Sequence, residues 1–186
     1  MCTHCTRRDF LGASALTGMA LATGHLMAGA VVADTVSVAD SKVKICAIIA
    51  GNPGERSWCP SEAEINVARA RLAEAEKNLG NVEFVVGQAA NAEQAGQLLA
   101  QAGPDAPVLA ISGDIFGPAQ VMPAIFEQQR PVALFHLPVV GGHDWCLVKP
   151  WRDKGNRITL FNTTDYNDLE RAAALLRVIP LLKRSR

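Results

Sequence analysis

From Lys42 onward the chain switches between short continuous apolar runs and stretches in which apolar residues recur every three or four positions. Val43–Ala50 (VKICAIIA) is almost wholly apolar, as expected of a parallel strand buried on both faces. Ser61 with Glu64 three residues later forms a capping box. The stripe Ile65, Ala68, Leu72, Ala75 and Leu79 then carries a helix to Gly80. Val82–Val86 reads as a second strand. Asn91 and Gln94 open a second helix, with Ala95, Leu98, Leu99 and Ala102 on one face and Gly103-Pro104 as its stop. Pro107–Ile111 is a third strand. Val121–Gln129 is a short helix that tolerates Pro123 only in its first turn. Pro131–Leu137 (PVALFHL) and Arg157–Phe161 complete five strands, and Thr164 or Asp165 caps a last helix to about Ile179. This alternation predicts a mainly parallel five-stranded sheet with helices on both faces, in strand order 2-1-3-4-5. The pattern stops at Pro180 and a basic tail, where another strand would ordinarily follow. Residues 42–186 are therefore expected to be one α/β domain, the N-terminal part of a longer protein.

Composition narrows the class without identifying it. The chain has 186 residues, is 49% hydrophobic, and balances Lys+Arg 18 against Asp+Glu 18. Length of this order fits one domain. The neutral balance offers no basic footprint for nucleic acid, and the hydrophobic fraction excludes intrinsic disorder.

The first thirty residues follow a different logic. Arg7-Arg8-Asp9-Phe10-Leu11 precedes a weakly apolar run that ends at Ala28-Gly29-Ala30, a small-x-small site suited to a signal peptidase. The arginine pair before Phe-Leu resembles a twin-arginine (Tat) signal, an address read by a receptor. Residues 1–30 are thus expected to be a Tat-type signal peptide and 31–41 a linker. The Tat translocase is then a partner during export, and the mature protein is periplasmic or otherwise extracytoplasmic. Cys2-Thr3-His4-Cys5 would leave with the signal, and no second ligand pair follows at zinc spacing. Cys46, Cys59 and Cys146 remain, compatible either with one disulfide and a free thiol or with three buried thiols.

Three segments following strands carry candidate chemistry, because open parallel sheets bind ligands outside the carboxyl ends of their strands. Gly51–Pro60 lacks both G-x-G-x-x-G and the P-loop pattern, but holds Arg56, a hydrogen-bonding fork, and Trp58, a stacking face for a sugar ring. Ser112–Pro118 contributes Asp114, an acceptor for ligand hydroxyls. Pro138–Pro150, continuing to Lys154, reads as a long polar-aromatic loop with His143, Asp144, Trp145, Cys146, Lys149 and Trp151. His143, Asp144 and Lys149 offer donors and acceptors, and Trp145 and Trp151 offer apolar faces. Adjacent His143 and Asp144 do not make a dyad with Cys146 by sequence alone. His136, inside a strand, reads as a core residue, and no spacing of His and Asp supports a metal site.

Asp114-Ile-Phe-Gly-Pro-Ala-Gln-Val-Met, followed by Arg130-Pro131-Val-Ala-Leu-Phe-His136-Leu-Pro, resembles the N-terminal domain of L-fucose and L-arabinose isomerases. Phe116, Pro118, Ala119 and Met122 match the family's turn, and Pro131 and His136 match the strand after it. Gly117 and Gln120 stand where the family has Ser and Lys. The resemblance implies a flavodoxin-like (Rossmann-like) three-layer sandwich in an aldose–ketose isomerase-like protein. In that family Mn²⁺ and the catalytic residues belong to later domains, and this domain helps to bind sugar and build a homo-oligomer. No cofactor is then expected in this chain. A two-lobe periplasmic sugar-binding protein, with this chain as its first lobe, is the alternative.

Overall fold

The computed structural model describes residues 42–54, 59–113, 116–137 and 145–184, without the side chains at 116–118 and 145–147. All lie within the compact unit Ser37–Arg186. The proposed signal and linker, together with Arg56, Trp58, Asp114, His143 and Asp144, lie outside the described residues.

Five strands, β1 (Val43–Ala50), β2 (Val82–Ala89), β3 (Val108–Ser112), β4 (Val132–His136) and β5 (Ile158–Asn162), form one sheet in the order β2-β1-β3-β4-β5. Every pairing is parallel. The helices are α1 (Glu62–Leu79), α2 (Ala92–Ala102), α3 (Phe116–Glu127), α4 (Trp145–Asp153) and α5 (Asp168–Arg184). Side chains alternate across the sheet because the strand period is two. Cys46, Ile48, Ala110 and Leu134 bury one face under α2, α3 and α4. Ile45, Ile49, Leu109 and Phe135 bury the other under α1 and α5. The result is a flavodoxin-like α/β sandwich.

Local signals set the first two helices as their chemistry demands. At Ser61 both halves of the capping box are present, the Ser61 hydroxyl accepting from Glu64 N–H and the Glu64 carboxylate from Ser61 N–H at 2.7 Å. Asn91 caps α2 through Gln94 N–H at 3.0 Å. The guanidinium of Arg130, only 6% exposed, closes the other end of α2. It donates to the carbonyls of Gly103 (2.7 Å), Ala106 (3.2 Å) and Leu99 (3.2 Å), a cation placed against the negative end of the helix dipole. Burial pushes its pKa down, with Cys46 and Asp105 acting in the opposite direction. Gly87 lets α2 approach β2 closely, since a Cβ there would run into the Leu98 side chain.

Four elements differ from the sequence reading, and three of them involve proline. Helix α3 begins at Phe116 rather than Val121, so Pro123 lies in its interior. Pro123 is exposed, and the missing bond falls on the solvent side, where water can serve the freed carbonyl. The expected loop after β4 instead ends in a helix, α4, whose interior contains Pro150 on an exposed position. Val148 and Trp151 drive that helix onto the α3 side of the core. The last helix does not stop at Ile179 but runs through the buried Pro180 to Arg184. It also starts later than expected. Asp165 accepts from Asn167 N–H (2.9 Å), and Thr163 Oγ1 donates to Asp168 (2.8 Å), which opens α5. Strand β2 extends to Ala89, paired residue for residue with β1.

Cys46 and Cys59 are free thiols, one buried and one half-buried. The Cys46 thiol is pushed up to about 11, first by burial and against the lowering effect of Arg130.

Candidate functional site

Strands β3, β4 and β5 read VLAIS, VALFH and ITLFN, each ending in a polar residue. Parallel register places Ser112 beside His136 and His136 beside Asn162. Neighbouring strands lie about 4.8 Å apart, and residues in register point to the same face. The three side chains therefore form a row at the carboxyl end of the sheet, on the α2–α3–α4 side. Ser112 is 1% and His136 2% exposed, whereas Asn162 is open to solvent. The ladder continues past the row, with Leu137 N–H donating to Ser112 O and Thr163 N–H to His136 O. Sequence reasoning assigned His136 to the core and passed over Ser112 and Asn162. The signal was the shared polar residue closing three apolar runs.

On the opposite face of the same edge is a cavity of about 20 Å³ between Ile49, Pro60, Glu64, Ile111, Gly113 and Tyr166. That is room for one water. Burial, then the nearby Glu64 carboxylate, raises the pKa of the Tyr166 hydroxyl, so it stays a neutral donor.

Of the residues singled out from sequence, Lys149, Trp151 and the backbone of Trp145 are described, all on α4 rather than on a loop. Trp145 is the first residue of that helix. Lys149 is exposed and pairs with Asp153 at 2.6 Å, an i,i+4 contact between solvated groups worth about 0.3 kcal/mol. Trp151 is half-buried against Phe126, ring centroids 5.4 Å apart and inclined at 62°. Its carbonyl accepts from Asn156. The structure brings Trp151 together with the core, not with the row at the carboxyl edge.

Among the described residues no group of three His, Cys, Asp or Glu side chains could hold a metal ion. No described helix is long and apolar enough to cross a membrane. The fold and the polar strand ends define the class: a flavodoxin-like α/β domain with its polar row at the carboxyl edge. No known family, curated protein or solved structure matches the chain.

Proposed function

We propose that this chain is the N-terminal, sugar-contacting domain of an exported, sugar-isomerase-like protein, with catalysis supplied by residues outside it. The observation that carries the reading is the row Ser112–His136–Asn162. Ser and Asn each offer both a donor and an acceptor, as does the imidazole of His in its uncharged form. That inventory suits the hydroxyls of a polyol and not a phosphate, which favours cations and backbone N–H groups. The segments that follow β1, β3 and β4 carry Arg56, Trp58, Asp114, His143, Asp144 and Trp145, which add forks, acceptors and ring faces. The Phe116–Met122 and Arg130–His136 motifs support the isomerase-like assignment. Mn²⁺ would then belong to other domains, and turnover would need them. Arg7-Arg8 and Ala28-Gly29-Ala30 support export by the Tat route to the periplasm.

Calorimetric titration of the chain with L-fucose, L-arabinose and other aldoses and ketoses tests the reading. Binding of at least one sugar is expected, weakened about threefold to tenfold in Ser112→Ala or Asn162→Ala, the worth of one neutral hydrogen bond. Binding of every sugar unchanged in both variants, or no binding at millimolar sugar, would refute the site. Metal-dependent isomerisation by this chain alone would relocate catalysis onto its own residues.

A further inference from the structure

We infer that the groove between β5 and α5 is a binding site for an aliphatic carboxylate, whose head is held by Arg152 and Arg157. The groove has a volume of about 500 Å³, which is in the range of small-ligand pockets. Ala133 and Phe161 in its wall belong to the face of the sheet covered by α1 and α5. The row Ser112–His136–Asn162 is on the other face, so this is a second site and not an extension of the first.

The two ends of the groove differ in chemistry. Along β5 and α5 the wall is apolar, made by Ala133, Phe161, Leu175 and Ile179. Leu175 is 60% exposed there, an apolar surface that gains by covering. Where the chain enters β5, Arg152, Asn156 and Arg157 take over. From Arg157 to Phe161 a strand advances about 13 Å, enough to lay out a medium-length alkyl chain.

The two guanidinium groups are positioned by the fold itself. Arg152 Nε donates to Ile158 O at 3.0 Å, and Arg157 Nη2 donates to Gln129 O at 2.7 Å. Each fork is thus anchored to backbone through one nitrogen, and its other nitrogens have no acceptor among the described residues. A planar fork held in this way suits the two oxygens of a carboxylate and loses little freedom on binding it. No Asp or Glu is among the described residues that line the groove, so nothing there neutralises the pair. The same charges repel a cationic amphiphile. A small anion without a tail leaves the apolar wall bare, and a neutral alkane leaves the forks unused. Only a ligand with both parts satisfies both ends.

Calorimetric titration of the chain with decanoate, below its micelle concentration, tests this. One decanoate per chain is expected, bound about tenfold or more tighter than either decanol or acetate. Arg157→Gln changes an exposed side chain, and should weaken decanoate about fivefold while leaving decanol unaltered. Leu175→Ser, also at an exposed position, should weaken decanoate and decanol alike. Added salt should loosen decanoate and spare decanol. Ser112→Ala should leave decanoate binding as it is, which separates this site from the sugar reading. Absence of binding at millimolar decanoate, decanol binding as tightly, or affinity indifferent to Arg157→Gln and Leu175→Ser would overturn the inference.

Discussion

Replacing Arg130 tests whether a single buried fork holds the end of α2. Its guanidinium serves three carbonyls, of which Gly103 O also accepts from Ala106 N–H at 3.4 Å. Removing the fork leaves the carbonyls of Leu99 and Ala106 without that donor in buried surroundings. An unsatisfied buried group costs about 1–3 kcal/mol. Against this stands the relief of a desolvated cation whose Nε has no partner among the described residues. The net loss expected for Arg130→Met, which keeps the apolar stem, is about 3 kcal/mol. For a domain of this size that corresponds to a fall of about 6–12 °C in Tm. Arg130→Lys keeps the charge but not the planar fork, and should lose about half as much. Urea and thermal unfolding followed by circular dichroism measure both variants. A Met variant melting within about 2 °C of the parent would show that the fork contributes no net stability, and the capping argument would fail.

Other outcomes follow from the same physics. Stability should decline on the alkaline side: the Cys46 thiol stands at about 11 against an ordinary 9.0, so its neutral form is favoured in the folded state. That contribution is complete below pH 9 and is lost as pH rises from 9 to 11, by at most about 2.7 kcal/mol. Unfolding titrations of the parent and Cys46→Ala across that window should differ in slope; equal slopes would show that another group governs the fall. Ser61→Ala should remove one half of the capping box and lower stability by about 1 kcal/mol, read from the urea midpoint. An unchanged midpoint would mean that water caps α1 equally well.

The sequence by itself determined the alternation of strands and helices, because those signals are local, and the alternation in turn implied the parallel five-stranded sheet in the order found. VKICAIIA reads as a doubly buried strand wherever it sits, and Ser61 with Glu64, or Asn91 with Gln94, cap helices through contacts three residues apart. Proline misled the reading for the same reason. Its cost is a local quantity, whereas α3, α4 and α5 persist through Pro123, Pro150 and Pro180. Burial of Met122, Val148 and Leu176 against the sheet compensates each lost bond. Trp151 looked available for a ligand until α4 turned it onto Phe126. Register is not local at all. Only the folded sheet sets Ser112, His136 and Asn162 side by side, or gathers three distant carbonyls around Arg130. Such contacts join residues far apart in the chain, and no periodicity within one segment encodes which partner the sheet will bring.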